Sequence, residues 1–212
     1  MYLFSRRIRI APGNTRASME WAIKQTELVN QITGLPVSLY SQVFSPEVGT
    51  LYYSTFVPDL MTLEAANDKL TVDEGLASAT DKGAAFLVGG ADDTVAQIVH
   101  GTPDPSRSIE YVSVVSTVCA AGNFKRGLEV GVEITDRAAK ATGTPGLFAS
   151  MVTGNYGTVG WITAFESIQA LEAGEQALAA DASFLEFIDK EASTAFSDQA
   201  GSTTQLVLRK IV

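Results

Sequence analysis

The sequence predicts an α+β protein made of two β-α-β-β-α-β halves, and three observations carry that prediction. The first is an internal repeat. Residues 11–45 return 109 positions later with 10 identities among 35 aligned residues, including Ala11-x-Gly13-Asn14 as Ala120-x-Gly122-Asn123. Residues 49–84 return 108 positions later with 11 identities among 36, including Leu63-Glu64-Ala65 as Leu171-Glu172-Ala173. That is roughly 30% identity where ordinary composition gives about 7%. The second observation is the order of periodicities inside each copy, which alternates between two and 3.6. The third is that the central strands are apolar on both faces: Leu39 and Val43 alternate with Tyr40 and Phe44, and Tyr52 and Phe56 with Tyr53 and Val57. A sheet of that kind exposes an association surface unless something covers it.

Each element follows from local chemistry. Tyr2–Ile10 alternates apolar and polar residues as a half-buried strand does. Ala11–Asn14 forms a turn, with Asn14 placed to cap the next helix. From Asn14 to Thr33 the apolar Met19, Ala22, Ile23 and Val29 recur with helical spacing, and Gly34 ends the run. Pro36–Phe44 and Thr50–Val57 are rich in β-branched and aromatic residues, and Ser45–Gly49 between them reads as a hairpin loop. A second helix starts near Thr62 with Leu63, Ala66 and Leu70 on one face, and Thr94–His100 closes the copy as a strand.

The second copy repeats this order. Glu110–Ala120 is a strand, and Asn123–Thr142 a helix with Leu128, Val132, Thr135 and Ala138 inward. Strands follow at Leu147–Thr153 and Thr158–Phe165. A helix then carries Leu171, Gly174, Leu178, Leu185 and Ile188 as a stripe beside Phe184 and Phe187, and Thr203–Ile211 is the last strand. The expected organisation is a first repeat at 1–100, a Gly- and Pro-containing linker at 101–109 and a second repeat at 110–212. Each repeat has the ferredoxin-like order. The two sheets are expected to pack against each other as an α+β barrel within one chain.

Composition narrows the function classes. Fifteen basic against 24 acidic residues leave a net charge of −9. Such a surface repels phosphate backbones and anionic headgroups, so neither nucleic acid nor membrane is an expected partner. The first apolar segment is broken by Arg6, Arg7 and Arg9, which reads against a signal peptide, and no window reaches the length of a membrane span. A cytoplasmic protein is expected. The single cysteine, Cys119, excludes an intrachain disulfide and a cysteine-based zinc site, and reads as a small buried hydrophobe.

Three segments of the second copy carry a resemblance: Gly122-Asn123 opening its first helix, the strand Val159–Ser167 with its aromatic-x-Ser end, and Ala180-Asp181-Ala182-Ser183-Phe184. They resemble the dimeric α+β barrel superfamily, which includes antibiotic-biosynthesis monooxygenases and NIPSNAP-like proteins. Most members build one barrel from two chains, so the resemblance implies either a monomeric pseudo-dimer or a homo-oligomer of such units. It also implies a choice of functions, from cofactor-free oxygenases and cyclases to haem enzymes, lyases and ligand-binding modules. Haem branches typically use a helical histidine, which neither repeat offers. A cofactor-independent monooxygenase- or cyclase-like enzyme for a small apolar or aromatic substrate is one expectation. A non-catalytic ligand-binding or structural barrel is the other. No cofactor and no metal are expected.

The candidate ligand contacts are Arg7, Arg9, Tyr40, Tyr53, Trp161 and His100. Arg7 and Arg9 share a face of the first strand, leaving Ile8 and Ile10 toward the helices. Such a pair holds a carboxylate or an enolate, or else pairs with nearby acids as edge charges. The second copy has Ser116 and Val118 in their places, so one pocket with one polar end is expected. The aromatics on the central strands either stack on a ligand or fill the core. His100, the only histidine, ends a strand and is either a rim contact or a plain surface residue. The glycine-rich run Gly154–Gly160 joins two strands instead of opening a helix, so it reads as a hairpin and not a phosphate cradle.

Overall fold

The computed structural model describes residues 1–45, 47 and 49–212; Pro46 and Val48, in the expected hairpin loop, lie outside the described residues. The first repeat runs β1 (Tyr2–Arg9), α1 (Thr15–Thr33), β2 (Ser38–Val43), β3 (Thr50–Val57), α2 (Leu60–Val72), α3 (Glu74–Gly83) and β4 (Asp92–His100). The second runs β5 (Tyr111–Val118), α4 (Phe124–Thr142), β6 (Gly146–Met151), β7 (Thr158–Phe165), α5 (Ile168–Ala180), α6 (Ala182–Phe187) and β8 (Thr204–Lys210). The strand order is β1-β3-β2-β8-β5-β7-β6-β4, and the eight strands close into one barrel. Each repeat contributes its strands in the ferredoxin-like order, fourth, first, third, second. Two compact units divide the chain, Met1–Val95 with Arg209–Val212 and Ala96–Leu208.

In the first unit, Ile8 and Ile10 of the β1 segment point toward α1 and share a core with Ala22, Leu39 and Leu51. The residues that α1 buries fully are Ser18, Ala22, Gln25 and Thr26; Ala22 belongs to the expected set, and Met19 and Ile23 pack partly buried against the same core. Small and hydroxylated residues let the helix lie close to the sheet. Ser18 and Thr26 remain satisfied there by donating to the carbonyls of Asn14 (2.8 Å) and Ala22 (2.9 Å) one turn back. Likewise α4 fully buries Gly127, Val130, Gly131, Ile134 and Thr135; of the expected inward set Thr135 is fully buried, and Leu128 and Val132 pack partly buried against the core.

The caps also differ from expectation. Asn14 and Asn123 stand at the N-cap positions of α1 and α4, but neither side chain accepts a capping hydrogen bond. Asn123 instead donates to the Thr194 carbonyl at 3.0 Å. The working caps are Asp59 and Ser167, which accept from the amides of Thr62 (2.8 Å) and Ala170 (3.1 Å), and Asp73 and Asp181, which accept from Leu76 (2.8 Å) and Phe184 (3.0 Å). The second pair explains why each expected second helix is split in two: an Asp in extended conformation ends one helix and starts the next.

The second unit's core joins Val130, Ile134, Phe148, Val159 and Phe196, with Phe184, Phe187 and Ile188 packed against it. Leu185, expected on the buried stripe, is exposed, because the new helix start at Asp181 rotates the segment. Trp161 lies 5.4 Å from the ring centres of both Phe148 and Phe196. Cys119 is buried here, and burial pushes its thiol up.

Candidate functional site

The residues at the end of β1, in the first unit, border a cleft of about 240 Å³. Alternation along β1 puts Arg7 and Arg9 on the face opposite Ile8, and both arginines line this cleft with Glu47 and Asp92. Its remaining wall is Ile8 of β1 itself, Thr50 from β3 and the Val88-Gly89-Gly90 segment that leads into β4. That segment is fixed to the strand by the Val88 amide, which donates to the Arg9 carbonyl at 2.9 Å.

The β-sheet register builds a row behind the cleft. Arg7 pairs with Tyr52 on β3, and Tyr52 with Tyr40 on β2, so all three share one face. The Tyr52 hydroxyl donates to Gln42 Oε1 at 3.3 Å, and Gln42 Nε2 donates to Ser45 Oγ. Burial pushes the phenol of Tyr52 up, with the Arg7 charge beside it pulling the other way. Burial raises Tyr40 as well, against a hydrogen bond from Ser38. Tyr40 therefore belongs to this network through its row, one strand behind the cleft.

Arg7 is engaged by the protein. Its Nε and Nη2 donate to Asp92 at 3.2 and 2.9 Å, and its Nη1 to Glu47 at 3.4 Å. Hydrogen bonding to Asp92 raises its already high pKa, so it stays charged throughout the working pH range. Arg9 makes no side-chain hydrogen bond or ion pair with any described residue. Arg6, on the other face, is held two-pronged by Asp93 at 2.7 Å for each contact, and takes no part in the cleft.

The other sequence candidates lie elsewhere. Tyr53 is one residue out of phase with Tyr52 and packs against the core under α1. Trp161, its counterpart, packs under α4 and donates its indole N–H to the Gly131 carbonyl at 3.0 Å. His100 is on the surface of the second unit, 2.7 Å from Asp136. Sequence reasoning missed Asp92, Glu47 and Gln42. Their signal was the position of polar residues at the strand ends facing Arg7, which only the register reveals.

The equivalence of Tyr53 and Trp161 gives a stability test. The Tyr53 hydroxyl is buried with no hydrogen-bond partner among the described residues, and burial drives its pKa far above the normal tyrosine value. An unpaired buried hydroxyl costs about 1–3 kcal/mol. Tyr53→Phe is therefore expected to leave stability unchanged or raise it by about 1 kcal/mol, read as the midpoint of urea unfolding. A clear loss would show that the hydroxyl is paired in solution.

The copies are unequal on the cleft face. The row that reads Arg7–Tyr52–Tyr40 in the first repeat reads Ser116–Gly160–Ala149 in the second. Among the described residues no group of three or more His, Cys, Asp or Glu is placed to hold a metal ion, and no helix is long and apolar enough to cross a membrane.

No family model matches the chain, and no curated protein matches it in sequence. Solved structures do match it in fold. A proposed monooxygenase from Fusobacterium nucleatum aligns over 100% of this chain and 92% of its own, with a TM-score of 0.72 at 11% identity. A proposed monooxygenase from Lactobacillus acidophilus aligns over 99% and 93%, with a TM-score of 0.64 at 7% identity. An anthrone oxidase-like protein aligns over 100% and 91%, with a TM-score of 0.66 at 11% identity. The fold of this chain is the α+β barrel, in the tandem form that carries both repeats in one polypeptide.

Proposed function

We propose that the chain is an enzyme of the cofactor-independent monooxygenase or cyclase kind, acting on a small ring-bearing substrate at the cleft beside β1. One observation carries the reading: two guanidiniums and two carboxylates converge there in front of the Tyr52–Gln42 pair, in one repeat only. A carboxylate can take a proton from an acidified ring carbon, and the guanidiniums stabilise the enolate that results. The enolate then either closes a ring or adds dioxygen. In the second case the hydroperoxide loses water, so that CH₂ and O₂ become C=O and H₂O. Structures of the same fold described as monooxygenases and as anthrone oxidase-like support the reaction class by analogy.

Oxygen uptake is the test. Chelator-treated protein is mixed with ring compounds bearing an acidic methylene, including anthrone and single-ring diones. The expected result is oxygen consumption matched by ketone formation, or a cyclised product without oxygen uptake, with the rate falling at least tenfold in Asp92→Asn. Binding without turnover across that panel would favour the second reading, a ligand-binding barrel. The observation on its side is that Asp92 and Glu47 are both ion-paired with Arg7, so each carboxylate is already engaged by the protein.

A further inference from the structure

Charge in the cleft is unevenly committed. Two arginines face two carboxylates, but both carboxylates turn to Arg7. Arg9, two residues along the same face, keeps its five N–H donors free of any described side chain. Beside it, the amides of Gly89 and Gly90 donate to no described group. A Cβ built on either glycine would meet nothing within 4 Å, so this stretch of backbone borders open space. Val88, 48% exposed, supplies an apolar surface next to these donors. Thus one end of the cleft offers a fork of donors and two amides with no acceptor, and the other offers carboxylates with acceptor capacity left over.

The cleft's size limits what fits. A volume of about 240 Å³ is that of roughly eight waters at ~30 Å³ each, below the ~300–1,000 Å³ of pockets that enclose drug-sized ligands. One six-membered ring with its substituents fills it, and a larger ring system would extend out of its open side.

We propose that Arg9, with the amides of Gly89 and Gly90, binds the carboxylate of a single-ring ligand whose ring rests on Val88 and whose hydroxyl donates to Asp92. A guanidinium and a carboxylate share two parallel hydrogen bonds, and exposed neighbours leave the pair sensitive to salt. This inference rests on the cleft being the ligand site proposed above, and it names the substrate class of that site: a hydroxylated single-ring acid.

The test is titration by protein-observed NMR with three probes: salicylate, its neutral amide salicylamide, and inorganic phosphate. Salicylate is expected to bind at least tenfold tighter than salicylamide, to shift the amides of Gly89 and Gly90, and to weaken as salt rises. Arg9→Gln should cut its affinity at least tenfold, and Arg9→Lys by less. Arg16→Gln, at an exposed site on α1, should leave it unchanged. Arg9 is exposed, so the variants are expected to keep the wild-type melting temperature, checked before titration. Equal binding of salicylamide, or affinity unchanged in Arg9→Gln, overturns the proposal. Phosphate binding as tightly as salicylate also overturns it, since the ring would then contribute nothing. Arg9-dependent salicylate binding without turnover of any ring acid would sink the catalytic reading and leave the binding inference standing. Turnover of neutral polycycles that is indifferent to Arg9 would do the reverse.

Discussion

Phe148→Ala is expected to destabilise the protein by about 3–5 kcal/mol, the cost of emptying a buried aromatic site. For a chain of this size that corresponds to a fall of roughly 6–20 °C in melting temperature. Phe148 is the largest fully buried side chain in the molecule's described residues, at 0% exposure, and Val130, Val159 and the ring of Trp161 close around it. A cavity left there has little room to collapse, because its walls belong to a helix and two paired strands. Calorimetry or urea unfolding checks it, and a loss below about 1.5 kcal/mol, the usual ceiling for a tolerated apolar swap, would show that the site relaxes.

The second large effect concerns the partner of Phe148. A Cβ at Gly131 would sit 2.0 Å from the Phe148 Cζ, on a helix backbone that cannot retreat. Gly131→Ala is expected to cost about 1–3 kcal/mol by overpacking, despite the ~1 kcal/mol that alanine gains over glycine within a helix. The first repeat shows the remedy. Its equivalents are Ala22 and Leu39, both 0% exposed and in one core. The repeats have thus exchanged a small–large pair for a medium–medium one. Adding Phe148→Leu to Gly131→Ala recreates the first repeat's pair and should recover most of the loss, giving a coupling of about 1 kcal/mol or more in the double-mutant cycle. Simple additivity would mean that the two positions do not answer to each other.

The sequence made the repeat, the strand order and the positions of Arg7 and Arg9 legible, because period-two alternation and self-similarity are local signals. Thr50–Val57 and Thr158–Phe165 match the observed strands residue for residue. The inward faces of α1 and α4 were legible only in part: Ala22 and Thr135 are buried as expected and Met19, Ile23, Leu128 and Val132 pack against the cores, but the positions of closest approach to the sheet, Ser18, Gly127 and Gly131, carry no hydrophobic signal. Nor could it be read which tyrosine shares the sheet face of Arg7. Tyr52 and Tyr53 are adjacent and chemically alike, and only the pairing of Arg7 with Tyr52 and of Arg6 with Tyr53 separates them. Glu47 and Asp92 come to Arg7 from 40 and 85 residues away in the chain, and no local pattern announces such a meeting.

The contrast between Arg7–Tyr52–Tyr40 and Ser116–Gly160–Ala149 reaches beyond packing. In a barrel assembled from two copies of one gene product, every substitution is made twice, and a wall cannot become charged on one side alone. Joining the copies in a single reading frame lifts that constraint: one half can be altered as a ligand cradle while the other keeps only the duties of a scaffold. Such a molecule should saturate with one equivalent of ligand per chain, along a simple hyperbola. The row Ser116–Gly160–Ala149 offers no counterpart of the Arg7 side chain among the described residues.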